Sequence, residues 1–362
     1  MNQYKKPKQF DRNLIVIGAG AAGLVTSYIA AMVKAKVTLI EGHKMGGDCL
    51  NYGCVPSKAM LAAAKTAQSM RDAGKFGIES VEPKVNFKEV NEHVHDVIGR
   101  IAPNDSVERF TALGVTVIQA EGKFIDKKTV VAGDQTIRAR RYVIATGSSP
   151  FVPPIPGLES VPHFTNETLF NNKRKIGKLI VIGGGPIGME MAQAHHRLGS
   201  KVTVIEAMKA LGKDDPELTS VVLERLRDEG IEILEETSVE GVSQDIQGVT
   251  VRVSKGAEQG EIKGTHLLIA TGRRPNLDSL KLENAGILFD RRGVKVNKGL
   301  VTTNKKVFAI GDITGGLQFT HMANYHAGIV IRRALFRMPA KVDTTKIPWV
   351  TYTDPELAHI GL

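Results

Sequence analysis

The chain has 362 residues, of which 42% are hydrophobic and 24% charged, and its formal net charge is +10. This length and composition are typical of a soluble globular protein with two or three domains. Net positive charge alone is a weak indication of nucleic-acid binding, and no strip of interleaved aromatic and basic residues accompanies it, so we expect anionic dinucleotides instead.

The first predicted elements lie in an uncharged run, residues 14–33, which follows several basic residues. Such a run resembles a membrane span or a signal peptide. However, it divides into a strand, a glycine-rich turn and a helix, and a second strand, KVTLIE, follows at once. We therefore predict a nucleotide-binding unit and no membrane segment, and we expect the protein to be cytoplasmic.

This pattern of strand, glycine-rich turn, helix and strand ending in glutamate occurs twice. The first copy reads LIVIGAGAAG and KVTLIE, and the second reads LIVIGGGPIG and KVTVIE. The spacing from the last glycine to the glutamate is the same in both, Gly23 to Glu41 and Gly188 to Glu206. One GxGxxG is a weak signal, but a repeat with equal spacing predicts an α/β protein with two Rossmann-like dinucleotide-binding modules.

Each part of the repeat has a physical role. The first glycine permits the sharp turn, the second lets the backbone approach a pyrophosphate at the helix N-terminus, and the third allows helix and strand to pack closely. The glutamates are expected to accept hydrogen bonds from adenosine ribose hydroxyls. A carboxylate at Glu206 suits NADH and repels the 2′-phosphate of NADPH, although Lys209, Lys213 and His196 leave NADPH possible. The glycines concerned are Gly18, Gly20, Gly23, Gly183, Gly185 and Gly188.

Three further strands are predicted to end in small-residue turns, in RYVIATGSSP (141–150), HLLIATGRRPN (266–276) and VFAIGDITGG (307–316). Asp312 follows the last of these strands. On the local pattern it either binds sugar-like hydroxyls or serves only as a turn residue.

Both cysteines of the chain lie in GGDCLNYGCVPSK, residues 46–58. A zinc site would need further ligands at matched spacing, so we predict no resident metal site. Cys54 precedes a predicted helix and Lys58, and both the helix dipole and the cation favour a thiolate. The pattern therefore predicts redox-active thiols, with a stabilising disulfide or two inert thiols as the alternative.

Taken in order, these motifs resemble those of the pyridine nucleotide–disulfide oxidoreductases, the family of dihydrolipoamide dehydrogenase, glutathione reductase and mercuric reductase. The resemblance runs from about Leu14 to Leu362. It implies an FAD domain formed by residues 1–155 and 279–345, with an NAD(P) domain, 156–278, inserted in it. Residues 346–362 would begin an interface domain.

The resemblance also implies roles for individual residues. Cys54 would be the thiol that faces the flavin, and Cys49 the exposed thiol that attacks a disulfide or binds a metal ion. Lys58 would lie beside flavin N5, paired with Glu190; the alternative is an ordinary surface ion pair. The implied FAD-binding residues are Gly18, Gly20, Ala21, Ala22, Gly23, Glu41, Gly47, Lys58, Gly122, Thr146, Gly147, Asp312 and His321. Those implied for NAD(P) are Gly183, Gly185, Gly188, Glu206, Val239 and Gly272.

Asp48 departs from the family pattern, because relatives usually carry threonine before the first cysteine. We expect its charge to weaken the attack of Cys49 on anionic substrates. The substrate class implied is a small-molecule disulfide, a dithiol or a metal ion. Two rival functions stay open: a flavin-dependent reductase or oxidase that uses quinone or oxygen, and a catalytically incomplete dinucleotide-binding module.

The last residues, PWVTYTDPELAHIGL, resemble the first strand of the family's dimerisation domain. A single strand cannot bury its apolar face, so we expect Trp349, Val350, Tyr352 and Ile360 to be poorly packed or covered by a neighbour. We expect a full-length chain to form a homodimer, and this chain to be monomeric or weakly associated, with poor turnover of disulfides.

Overall fold

The computed structural model describes residues 10 and 12–361. The helices of this part of the chain are α1 (Ala21–Met32), α2 (Gly47–Asn51), α3 (Cys54–Asp72), α4 (Phe87–Ile101), α5 (Val107–Ala112), α6 (Asn166–Leu169), α7 (Pro186–Arg197), α8 (Pro216–Asp228) and α9 (Thr320–Ala334). Among these described helices, none combines the length and the apolar composition needed to cross a membrane.

The strands are β1 (Arg12–Ile17), β2 (Val37–Glu41), β3 (Thr116–Gln119), β4 (Gly122–Asp126), β5 (Thr129–Ala132), β6 (Gln135–Ile144), β7 (Ser148–Pro150), β8 (Lys178–Ile182), β9 (Lys201–Ile205), β10 (Glu232–Leu234), β11 (Ser238–Asp245), β12 (Gly248–Lys255), β13 (Glu258–Gly264), β14 (His266–Ile269), β15 (Arg273–Pro275), β16 (Phe289–Asp290), β17 (Gly293–Val294), β18 (Val307–Ala309), β19 (Pro348–Thr351) and β20 (Leu357–Ile360).

The chain divides into two compact units. The first contains the described residues up to Asn51 together with Arg100–Ser149 and Arg274–Ile347. The second contains Tyr52–Gly99, Pro150–Arg273 and the described residues from Pro348 onward. Residues 52–99, which carry α3 and most of α4, thus belong to the second unit by their packing.

The first unit is built on a sheet with strand order β3-β2-β1-β6-β5-β4, with β18 also paired to β6. The strands β1, β2, β3 and β18 and the second half of β6 are parallel, and the register places Val143 beside Val16 and Phe308. The apolar run of β1 is buried, as in parallel strands covered on both faces. Helices α1 and α9 pack together in one of its cores.

The second unit repeats this parallel arrangement in a smaller sheet, β10-β9-β8-β14. Val181 of β8 pairs with Val204 and Leu268 on its two neighbours. An antiparallel sheet, β11-β12-β13, adjoins it in the chain, and α3 packs against α7 through a core that includes Met60 and Met189. The predicted α/β class with two Rossmann-like modules is confirmed.

The C-terminal segment differs from the sequence prediction of one unpaired strand. Strands β19 and β20 form an antiparallel hairpin in which Val350 pairs with Ala358. The indole Nε1 of Trp349 donates a hydrogen bond to Asp214 at 2.6 Å, and its ring stacks on His359 with centroids 3.9 Å apart. The prediction that Trp349 is poorly packed was therefore wrong, because the second strand supplies its stacking partner. Ile360 is exposed, as expected.

Candidate functional site

In both glycine-rich loops, the first and third glycines pack directly against backbone carbonyl groups. A Cβ on Gly18, which has a φ of +104°, would overlap the carbonyl oxygen of Ala145, and a Cβ on Gly23 would overlap that of Gly18. In the second copy Gly183 faces Ala270 and Gly188 faces Gly183 in the same way. The first and third glycines of each loop are thus required by packing inside the chain itself.

Among the described residues, none crowds the position of the second glycine in either loop. A Cβ on Gly20 would meet only the Cα of Gly47 at 3.8 Å, and a Cβ on Gly185 would have no atom within 4 Å. Both residues are N-caps without a side-chain cap, in extended conformations that any residue adopts. Each loop therefore leaves open space in front of the unsatisfied N–H groups of a helix N-terminus, which is the cradle that a pyrophosphate fits.

Four further predicted residues stand around the first cradle. Ala21 and Ala22 form the first turn of α1 and present its leading N–H groups. Gly47 has a φ of +58° and packs so closely on Gly20 that a Cβ would lie 2.6 Å from the Gly20 Cα. Gly122 is buried, with the side chains of Ile17 and Ile40 each 3.1 Å from where its Cβ would be, so packing alone explains a glycine there. Its place among the FAD-binding residues stays a prediction.

The two glutamates at the ends of β2 and β9 hold the loops by equivalent hydrogen bonds. Glu41 Oε2 accepts from the backbone N–H of Ala19 at 2.5 Å, and its Oε1 accepts from His43 N at 2.7 Å. Glu206 Oε2 accepts from Gly184 N at 2.7 Å, and its Oε1 accepts from Met208 N at 2.8 Å. Each carboxylate thus lies at the edge of its glycine loop, where a ribose hydroxyl of a dinucleotide would reach it.

The Ala-Thr-Gly turn of the first unit is tied to a residue that the sequence did not indicate. Thr146 Oγ1 donates to the carbonyl of Asn276 at 3.0 Å, and the Asn276 amide donates back to the carbonyl of Thr146 at 2.9 Å. The backbone N–H of Asn276 donates to Gly147 at 3.1 Å. Asn276 is the residue that follows the second Ala-Thr-Gly run by four positions, and no local pattern marks it.

Asp312 lies in a single 3-10 turn, Gly311–Thr314, directly after β18. Its Oδ2 accepts a hydrogen bond from the hydroxyl of Ser148 at 2.6 Å. The buried ring of His326 accepts through Nδ1 from Gly311 N at 3.1 Å, and this burial lowers the pKa of His326 to about 4. His321, in contrast, is exposed in the first turn of α9, where its ring stacks on Phe319.

In the second unit, the contacts of Val239 and Gly272 are structural and do not identify a ligand. Val239 lies at a bulge of β11 and is half-buried against the core of the antiparallel sheet. Gly272 is exposed, has a φ of +129°, and its carbonyl accepts from Phe151 N at 2.9 Å. Their contribution to a nicotinamide dinucleotide site stays a prediction.

The cysteines lie in two consecutive helices. Cys49 is half-buried within α2, and Cys54 is exposed as the first residue of α3, with Gly53 as the N-cap. Cys54 and not Cys49 is therefore the more exposed of the two thiols, contrary to the expectation from the resemblance. Pro56 is the third residue of that helix, where its missing N–H costs nothing. A thiol at the first position of a 19-residue helix lies in the positive field of the helix dipole, which favours its thiolate.

Lys58 lies in α3 one turn after Cys54, and it forms an ion pair with Glu190. The Nζ atom of Lys58 lies 2.8 Å from Glu190 Oε2. Glu190 comes from α7, the helix that follows the second glycine loop, and it is 4% exposed. The pair thus differs from an ion pair between two exposed side chains, because one partner is buried, and the place of Lys58 beside flavin N5 stays a prediction. The pair joins the helix that begins with Cys54 to the helix of the second dinucleotide loop.

A family model described as pyridine nucleotide-disulphide oxidoreductase matches residues 12–327. The chain belongs to this family. The match includes both glycine loops, both cysteines and the Lys58–Glu190 pair, so the resemblance seen in the sequence motifs is confirmed.

Similar proteins include a mercuric reductase of Bacillus cereus, which is 35% identical over 98% of this chain and 56% of its own length. A dihydrolipoyl dehydrogenase of Staphylococcus aureus is 34% identical over 97% of this chain and 76% of its own length. Among solved structures, the Cu(II) complex of the HOCl-induced flavoprotein disulfide reductase RclA from Escherichia coli matches with a TM-score of 0.86 and 30% identity, covering 97% of this chain and 77% of that one. The chain spans only about 56–65% of the length of three mercuric reductases that it matches.

Proposed function

We propose that this chain is an FAD-dependent oxidoreductase that passes two electrons from NADH to the Cys49–Cys54 pair, and from there to a disulfide or metal-ion acceptor. The observation that carries the proposal is the ion pair between Lys58 and the buried Glu190. A protein that only bound dinucleotides would need the glycine loops, but it would not need a buried carboxylate that holds a lysine one turn from a thiol.

The chain's own groups divide between two cofactors in this proposal. The first loop and Glu41 would hold FAD, with Asp312 near its ribityl chain, and the second loop and Glu206 would hold NADH. Bound FAD would supply the ability to accept a hydride and return its electron pair to a disulfide. Lys58 would place a positive charge where negative charge accumulates on reduction, and Glu190 would keep that charge in place.

The dithiol chemistry follows from the position of Cys54. A thiolate at a helix N-terminus is a good leaving group and a stable product, so cleavage of a Cys49–Cys54 disulfide by two electrons leaves Cys54 ionised and Cys49 able to take a proton. Cys49 would then attack an acceptor disulfide or bind a metal ion. The named relatives, a mercuric reductase, a dihydrolipoyl dehydrogenase and a disulfide reductase, support both kinds of acceptor for the family.

The experiment that tests the proposal is an anaerobic titration of the FAD-loaded chain with NADH. We expect the flavin absorbance to change and two additional thiols per chain to become reactive toward a thiol reagent for each equivalent of NADH consumed. The Cys49→Ser and Cys54→Ser variants should show no such gain. Flavin reduction without new thiols in the unmodified chain would refute the dithiol step and favour direct transfer to quinone or oxygen.

Acceptors and assembly need separate measurements. A screen of lipoamide, glutathione disulfide and mercuric ion with the reduced chain would identify the acceptor class. We also propose that the chain works in the cytoplasm and that a full-length chain forms a homodimer. Light scattering of residues 1–362 would measure association of this chain, and a tight dimer with full disulfide reductase activity would contradict the expectation of a weakly associated chain.

A further inference from the structure

One face of α7 holds the segment that follows β19. Glu190, Gln193 and Arg197 are three and four positions apart, which places them on the same side of a helix. Gln193 accepts from Asp354 N at 2.8 Å through Oε1 and donates to the Asp354 carbonyl at 2.9 Å. Arg197 donates to Asp354 Oδ2 at 2.9 Å. Asp354 is therefore fixed through both its backbone and its side chain.

The same segment reaches the Lys58–Glu190 pair through Tyr352. The backbone N–H of Tyr352 donates to Glu190 Oε1 at 2.9 Å, while Lys58 donates to Oε2 at 2.8 Å. The Nζ atom of Lys58 also lies 4.3 Å from the centroid of the Tyr352 ring, within the range of a cation–π contact. Lys58 is thus held from two sides, by a carboxylate and by an aromatic face.

This arrangement restricts both members of the ion pair. Each oxygen of the Glu190 carboxylate has its own donor, the Lys58 ammonium group or the Tyr352 backbone N–H. The carboxylate therefore cannot rotate without breaking one of these two hydrogen bonds. Lysine has a long flexible side chain, and the ring removes part of the space that its ammonium group would otherwise sample. The Tyr352 hydroxyl has no hydrogen-bond partner within residues 12–361, so the contact depends on the ring face and the backbone N–H.

We infer that Tyr352 is a positioning residue for the electron-transfer reaction: its ring and its backbone N–H hold Lys58 and Glu190 in place. This inference rests on the proposed function, in which Lys58 acts beside the flavin. It assigns part of the reaction site to a segment 162 positions from Glu190 along the chain, outside the glycine loops and the cysteine segment.

The first test measures Lys58 directly and does not depend on catalysis. The 362-residue chain, with and without added FAD, is treated briefly with an amine-reactive ester, and the modification rate of each lysine is measured by mass spectrometry. Tyr352→Leu keeps an apolar side chain and the backbone N–H but removes the ring face. We expect Lys58 to react roughly twofold to fivefold faster in this variant, the range that corresponds to a cation–π contact of about 0.5–1 kcal/mol between partly exposed groups. Tyr352→Phe should behave like the unmodified chain.

The controls separate local release from unfolding. Lys88, an exposed lysine of α4 in the same unit, should react at the same rate in all variants. Equal modification of Lys58 in Tyr352→Leu and the unmodified chain would overturn the inference, and so would an increase in Tyr352→Phe as large as that in Tyr352→Leu.

The second test links the position of Lys58 to the flavin. In the FAD-loaded chain, Tyr352→Leu should lower the flavin midpoint potential in the same direction as Lys58→Met but less, and Tyr352→Phe should leave it unchanged. If Lys58→Met lowers the potential but Tyr352→Leu does not, the inference about Tyr352 is wrong and the proposed function stands. If Lys58→Met itself has no effect, the proposed role of Lys58 fails, and with it the functional part of the inference.

Discussion

The Nδ1 atom of His326 accepts a hydrogen bond from the backbone N–H of Gly311 at 3.1 Å. An N–H group can only donate, so Nδ1 must carry no proton, and the ring must be neutral for this contact to exist. Gly311 begins the turn that presents Asp312, and α9 supplies the histidine. The turn after β18 is thus held by a residue that loses its function when it is protonated.

This contact predicts a loss of stability in acid. Burial lowers the pKa of His326 to about 4 from its ordinary value of 6.5. The stabilisation is therefore complete above pH 6.5 and is lost as the pH falls from 6.5 through about 4, because the unfolded chain binds the proton first. Each pH unit in this interval removes up to about 1.4 kcal/mol. Urea unfolding between pH 7.5 and 4.5 measures the effect.

The variant that checks this assignment is His326→Asn, whose side-chain oxygen accepts a hydrogen bond in a similar place but does not titrate. Its unfolding free energy should fall less steeply between pH 6.5 and 4.5 than that of the unmodified chain. Part of the dependence will persist, because burial also lowers the pKa of His195 to about 4. The same slope in both proteins would show that His326 is not the titrating group.

The glycine loops predict two different consequences of substitution. Gly23→Ala should destabilise the chain by roughly 1–3 kcal/mol or more, since the new Cβ would overlap the Gly18 carbonyl. Gly20→Val should leave a folded chain without FAD, because its side chain would occupy the open cradle. Thermal unfolding and the flavin absorbance of the purified proteins distinguish these outcomes. Gly99→Ala, at an exposed position of α4 with open space, is the matched control: it should leave the FAD content unchanged and raise stability by roughly 0.5–1 kcal/mol, because alanine has the higher helix propensity. Normal FAD content in Gly20→Val would refute the cradle.

The two glutamates predict separate effects on the two cofactors. Glu206→Gln removes the charge that repels a 2′-phosphate, so the ratio of flavin reduction rates with NADH and NADPH should move toward one. Glu41→Gln is the equivalent change in the first loop and should weaken FAD retention while leaving that ratio unaltered. Stopped-flow absorbance with each nucleotide gives the ratio. Faster reduction by NADPH in the unmodified chain would show that Glu206 does not select NADH.

The roles proposed for the two cysteines predict opposite absorbance spectra for the two single variants. Cys49→Ser leaves Cys54 as a thiolate at the start of α3, and we expect a long-wavelength absorbance band with oxidised flavin before any reductant is added. Cys54→Ser removes the thiolate that the helix dipole favours, so the band should be absent at every stage of an NADH titration. The reverse result would exchange the roles of the two thiols.

Much of the fold was predictable because its signals are local. Each glycine loop, its helix and its glutamate lie within about 30 residues, so the spacing from Gly23 to Glu41 or from Gly188 to Glu206 could be recognised without tertiary information. The start of α3 near Cys54 was predictable for the same reason, since turn and helix signals adjoin.

Other parts of the site depend on residues that meet only after folding. Asn276 holds Thr146 from 130 positions away, and Tyr352 reaches Glu190 from 162 positions away. No periodicity or motif marks these partners, because their role is set by the packing of α7 and of the Ala-Thr-Gly turn. The hairpin of β19 and β20 was missed for a related reason: the sequence between the strands, YTDPE, was not interpreted as a connection between two pairing strands.

The hydrogen bonds that the backbone N–H groups of Ala19 and Gly184 donate to Glu41 and Glu206 have a thermodynamic consequence for ligand binding. Each loop is already clamped in its curved shape by the chain's own carboxylate, so a dinucleotide meets a preorganised surface and the protein loses little further backbone entropy on association. Calorimetry should therefore show a heat-capacity change that matches the apolar area covered by the ligand, without the larger contribution that accompanies folding of a disordered loop.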